Sequence, residues 1–129
     1  MLVVPTELRP SPIHGFGVFF LAPVKKGELI WRFDSRVDRV YTESALEGLP
    51  ELMRDFVRKY AVWHKPTGLW VMCGDNALYV NHSDRPTTLS MASGFGDDVA
   101  AYDLAAGDEF TADYRVICDE VSATGQLYR

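Results

Sequence analysis

The chain has 129 residues, a formal net charge of −5 and an apolar fraction of 47%. That length suits one domain with one core. The acidic balance, without any basic run, excludes a phosphate-reading nucleic-acid face, and no apolar stretch nears the roughly 20 residues that span a bilayer. The opening MLVVPTELRP lacks the basic start and long apolar stretch of a secretion signal, so the expected location is cytoplasmic. An acidic surface either attracts a basic peptide or protein or simply keeps a small protein soluble. Cys73 and Cys118 lie far apart in apolar surroundings and are expected as buried free thiols rather than a disulfide. Neither they nor His14, His64 and His82 show metal-ligand spacing, so no metal site is expected.

Leu2–Val4 is a first strand candidate, ended by Pro5. SPIHGFG (11–17) is turn-rich, with Gly15 and Gly17 flanking Phe16, and VFFLA (18–22) follows as a buried strand. PVKKGE (23–28) reads as a tight turn around Gly27, and LIWRF (29–33) as the returning strand. Helical signals run from Thr42 to about Ala61. Ser44 and Glu47 have capping-box spacing, Gly48 and Pro50 break the run, and Pro50 suits the first turn of a second helix. In PELMRDFVRKYA, Leu52 or Met53, Phe56, Val57 and Tyr60 recur at three and four, which predicts a helix with one apolar face. LWVMC (69–73) is a strand; ALYV (77–80) is short and apolar; VAAYDL (99–104) and EFTADY (109–114) are strands joined by a turn over 105–108. Many short strands with one helical insert disfavour a doubly wound parallel sheet. The Gly-Phe-Gly also lacks the third glycine and following helix of a dinucleotide fingerprint.

Taken alone, NHSDRPTT (81–88) is a turn, because Asn, Ser, Asp and Pro each favour one. Its neighbours alter that reading. HGFGVFFLAPVKKGELIWRF, YVNHSDRPTT and AYDLAAGDEFTADY, in that order and spacing, resemble the three blocks of the SET domain family. Most members of that family are S-adenosylmethionine-dependent protein lysine methyltransferases. The resemblance covers roughly residues 11–114, leaves a tail over 115–129, and is closest to the small stand-alone bacterial-type members. It implies a single domain over 1–129 with a mainly β fold: short, mostly antiparallel strands in several small sheets, a helical insert and a C-terminal pseudoknot. In such a knot the Asn-His-Ser block lies beside Asp113–Tyr114, an exception to the rule against threaded chains.

The same resemblance implies transfer of a methyl group to a lysine side chain of a basic protein or peptide, with S-adenosyl-L-methionine as cofactor, S-adenosyl-L-homocysteine as product and no metal. A lysine amine, with an ordinary pKa near 10.4, must lose its proton before attack, and an apolar channel beside a sulfonium favours the neutral form. By resemblance Gly15, Phe16 and Gly17 hold the methionine portion of the cofactor, and Asn81 meets its polar ends. His82 is either a backbone contact and support or a satisfied core histidine. Tyr114 is the expected catalytic residue, acting by position and electrostatics because a phenol is a poor base at neutral pH. Tyr60 lines the lysine channel or packs the helix face. Ala112 stands where the family often has Phe or Tyr, which implies a roomier channel or a different acceptor. Asp84 and Thr87 replace the family's usual Cys and Asn, and no cysteine-rich zinc segment follows the core. The tail, with Ile117, Val121, Leu127 and Tyr128, or a second subunit in a homodimer, is then expected to wall the channel. Two alternatives stay open: a non-catalytic SET-like module that binds basic peptides, and a methyltransferase for a small amine.

Overall fold

The computed structural model describes residues 1–91 and 94–117. Three small sheets carry the architecture. The first has four strands, β1 (Thr6–Pro10), β2 (Phe16–Phe20), β10 (Glu109–Ala112) and β7 (Asn81–His82), in that spatial order. The second runs β3 (Leu29–Trp31), β9 (Asp98–Ala100), β8 (Thr88–Ser90). The third runs β4 (Arg39–Tyr41), β6 (Leu69–Met72), β5 (Val62–His64). Every pairing is antiparallel except β7 with β10, which is parallel. This is the mainly β arrangement of several small sheets that the sequence leads one to expect.

The order of β10 in the first sheet positions everything that follows. A strand late in the chain lies between β2 and β7, so it is central and both its edges are paired. Phe110 of β10 is opposite Val18, and its ring stacks on Phe20 at a centroid distance of 6.0 Å. Val18, Phe20, Ile30 and Phe110 are almost wholly buried and form the main core.

Two expectations are corrected here. The first strand is Thr6–Pro10, not Leu2–Val4. Leu2 makes one isolated bridge to Trp31, and the Val3 amide donates to the Ile30 carbonyl at 2.8 Å. TELRP is an edge strand, half-exposed and bounded by prolines, so it carries little of the apolar alternation that identifies a strand. The second correction concerns the insert. Helix α1 (Glu43–Glu47) is capped by Thr42, whose Oγ1 accepts the Ala45 N–H at 3.0 Å, and not by a Ser44–Glu47 box. Helix α2 (Glu51–Tyr60) follows Pro50, which stands at its N-cap rather than in its first turn.

The apolar face of α2 is only partly used. Val57 is buried with Leu46, Ala61 and Trp70 in a second, smaller core. Leu52, Met53 and Phe56 are 84%, 53% and 48% exposed, so the periodic pattern is longer than the surface the helix buries. Polar contacts add to this small core. Glu43 of α1 accepts from Arg58 of α2 and from the indole N–H of Trp70 in β6, both at 2.7 Å. These donors, Trp70 first, hold the Glu43 carboxyl below its ordinary value. A lowered folded-state value contributes stability that is complete above the ordinary glutamate range and is lost as the pH falls through the folded value. Glu43→Gln is therefore expected to cost about 1 kcal/mol at pH 7, with the difference from wild type shrinking as the pH falls through the folded-state value; urea unfolding at neutral and at acid pH measures both.

Candidate active site

The pairing of β7 with β10 sets Thr111 opposite Asn81 and Ala112 opposite His82. The Ser83 N–H donates to the Ala112 carbonyl at 3.1 Å, which extends the contact by one residue. Thr87 adds a clamp from the other side. Its hydroxyl donates to the Glu109 carbonyl at 2.8 Å and accepts the Thr111 N–H at 2.9 Å, while its own N–H donates to Thr111 Oγ1 at 3.0 Å. A hydroxyl is both donor and acceptor, so threonine here binds the strand backbone in both senses.

Beyond β10 the chain turns into a short helix, α3 (Tyr114–Ile117), and Tyr114 returns over the Asn-His-Ser segment. Its N–H donates to His82 Nδ1 at 3.1 Å and its hydroxyl donates to the Val80 carbonyl. The two rings meet edge to face at 5.5 Å. Because Nδ1 accepts, His82 carries its proton on Nε2, which lies 3.1 Å from Asp84 Oδ1. Asp113, bound by Arg115, is held below the ordinary carboxylate value and keeps its negative charge beside the imidazole. His82 thus fixes the start of α3 and the orientation of Tyr114, which is only 4% exposed.

The Gly-Phe-Gly turn is tied to the same block through Asn81. The Asn81 amide nitrogen lies 3.1 Å from the His14 and Phe16 carbonyls and 3.0 Å from Glu109 Oε2. The other contact of Glu109 is the Ser11 hydroxyl, at 2.9 Å. Gly17 is required by this carboxylate: a Cβ there would come 2.5 Å from Glu109 Oε2. Gly15 is required by its backbone, with φ +47°, and a Cβ on it would meet no protein atom within 4 Å.

Two cavities open on this framework. One, of about 160 Å³, is walled by His14, Gly15, Phe16, Lys59, Tyr79 and Asn81 among others. The second, of about 70 Å³, is walled by apolar core residues together with His64, Cys73, Phe95, Asp98 and Ala112. They share Tyr60, Val80 and Tyr114 as a common wall. Tyr60, at the end of α2, is packed between Phe56 at 4.8 Å and Tyr79 at 6.1 Å. The Lys59 ammonium lies 5.4 Å from the Tyr60 ring centroid.

No family model and no curated protein matches the sequence. Solved structures do. A Plasmodium falciparum protein provisionally named as a histone methyltransferase aligns with a TM-score of 0.63 and 21% identity, over 86% of this chain and 93% of its own. A humanized mutant of Chaetomium thermophilum Polycomb Repressive Complex 2, in complex with an inhibitor, aligns with a TM-score of 0.64 and 18% identity, over 86% of this chain and 15% of the other. Both are SET domain proteins. The chain has the SET domain fold.

Within this SET fold, Gly15, Phe16, Asn81, Tyr60 and Tyr114 converge on one cavity, and Ala112, Tyr60 and Tyr114 on the other. Gly17 and His82 line neither and act from behind the walls. The tail beyond Ile117, Cys118 included, lies outside the described residues, and so does the expectation that Val121, Leu127 and Tyr128 cover a channel. Sequence reading missed Lys59, Tyr79, His14 and Asp98. Three of them had a signal available: His14 and Tyr79 open the HGFG and YVNHS blocks, and Lys59 precedes Tyr60 at the end of the amphipathic helix. The Asn81 amide serves three acceptors on other segments, so Asn81→Ala is expected to cost about 2 kcal/mol of stability, read as a lowered urea midpoint with an unchanged slope.

Proposed function

We propose that this protein is an S-adenosylmethionine-dependent methyltransferase whose acceptor is a lysine side chain of a basic protein. The observation that carries this reading is the junction. Two cavities of different character share one wall made by Tyr60, Val80 and Tyr114. A transfer reaction needs two binding sites whose reacting ends meet at one place. The fold, in which the similar Plasmodium falciparum protein carries a histone methyltransferase name, supports the same reading.

The residues of the first cavity fit the cofactor. Open space above Gly15 leaves room for a close approach to backbone. Phe16 and Tyr79, 53% and 36% exposed, offer apolar ring faces, and Lys59 offers a cation for a carboxylate. When bound, the cofactor supplies an electrophilic methyl group on a sulfonium. The protein's part is positioning and exclusion of water. Val80 and Ala112 present apolar surface, which disfavours a charged amine. Tyr114 is held by both ends, through its N–H on His82 and its hydroxyl on Val80, so its ring is a fixed wall at the junction. His82 is a positioning residue. Ala112 contributes only a methyl group, and the wall beside Tyr114 is recessed there relative to a Phe or Tyr.

Calorimetric titration with S-adenosylmethionine tests the reading first, with saturable one-to-one binding expected. Absence of binding at millimolar cofactor to the folded protein would favour a binding module instead. Lys59→Ala is expected to weaken cofactor affinity about tenfold through loss of the carboxylate partner. Tyr114→Phe should keep most of the affinity and lower the transfer of labelled methyl groups to proteins of a cell extract by about a hundredfold.

A further inference from the structure

The second cavity carries a carboxylate on a largely apolar wall. Asp98 belongs to its wall, and it is the one carboxylate there; the wall has no Lys or Arg among the described residues. Three residues form a row across the second sheet. Trp31 of β3 is opposite Asp98 of β9, and Asp98 is opposite Ser90 of β8. Residues directly opposite in antiparallel strands place their side chains on the same face. The Ser90 hydroxyl donates to Asp98 Oδ1 at 2.7 Å. On the other side, Trp31 is 5% exposed and its indole N–H is buried with no hydrogen-bond partner. Trp31 lines the same cavity. A buried donor without a partner and a carboxylate beside it are two costs that an apolar pair at these positions would avoid. A cationic ligand head in the cavity offsets the second of these, the carboxylate; the indole N–H, a donor, needs an acceptor and is not matched by an ammonium.

We infer that Asp98 is the charge-recognition residue of the acceptor cavity, its carboxylate receiving the alkylammonium head of the acceptor between Trp31 and Ser90. The word acceptor rests on the methyltransferase reading; the recognition of an alkylammonium does not. Uncharged side chains of similar length are thereby discriminated against at the binding step, before any proton is lost.

The surrounding charges agree with this assignment. Asp97, the residue just before β9, is buried and its carboxylate is taken by Arg32 at 2.8 Å, so Arg32 is directed at Asp97. Across the cavity stand His64 from β5, Cys73 after β6, and the phenols of Tyr60 and Tyr114. Burial pushes the Asp98 carboxyl up to about 7; the Ser90 hydroxyl opposes that shift, the like charge of Asp97 adds to it and the charge of the amino terminus opposes it. Affinity for a cation therefore rises as the pH passes through that value, because only the ionised carboxylate attracts it.

The test uses n-butylammonium as the probe and butan-1-ol as its uncharged counterpart, with the Trp31 indole resonance as the reporter. At pH 8 butylammonium is expected to shift that resonance saturably and to bind about tenfold tighter than the alcohol. Asp98→Asn should abolish the preference. Ser90→Ala should move the pH of half-maximal butylammonium binding upward, since it removes the donor that stabilises the ionised carboxyl. Equal binding of the two probes by wild type, or a preference that survives in Asp98→Asn, overturns the inference. Should Asp98→Asn not fold, an unmoved pH midpoint in Ser90→Ala overturns it as well. Titration of the same samples with S-adenosylmethionine separates the two readings. Cofactor binding without the ammonium preference overturns the role of Asp98 alone. The preference without cofactor binding upholds Asp98 and removes the methyltransferase reading.

Discussion

The molecule depends on the parallel pairing of two residues of β7 with the end of β10. This short ladder has three ties of its own, from Ser83, Thr87 and Tyr114. Through it the Asn-His-Ser block meets Tyr114, and through Asn81 and Glu109 the same block meets the Gly-Phe-Gly turn. Remove the ladder and the two cavities lose the wall they share. The site is therefore not grafted onto a finished scaffold. It is the place where the first sheet closes.

This also explains how roles divide among the residues that matter. Tyr60, Val80 and Tyr114 face both cavities, so their positions decide what meets what. Asn81, His82, Glu109 and Thr87 spend their polar atoms on backbone and on one another, and they maintain those positions. Histidine beside a tyrosine invites an acid–base reading. Here its Nδ1 is occupied by an amide proton, and the imidazole is a strut whose tautomer is set by its neighbours.

Much of this was legible in the sequence, and for physical reasons. Gly15 and Gly17 stand out because few other residues tolerate a left-handed turn or a carboxylate pressed against Cα. The paired blocks around Asn81 and Tyr114 carry polar residues next to buried apolar ones, and such residues must find partners somewhere. What the sequence concealed was edge structure and long-range polarity. TELRP and RVY form strands whose partners, not their own patterns, define them. Thr42 caps in place of Ser44 because the helix starts two residues earlier than the Ser44–Glu47 spacing implies. Asp98 sits within an acidic pair after a glycine-rich turn, where a solvated loop is the natural expectation. Only the cross-strand row with Trp31 and Ser90 turns it into a feature of a cavity.

The central place of β10 bears on how the chain comes to be folded at all. A polypeptide made from its amino end has β1, β2 and β7 long before Glu109–Ala112 exist. Until then β2 and β7 have no strand between them, and Phe20 has no ring to stack on. Contacts this distant in sequence form slowly, because a large loop must close before they repay its entropy. The last strand among the described residues is thus the one that completes both the core and the wall between the cavities. Core and cavity wall arrive in the same event, so a population that has folded has also built its candidate site.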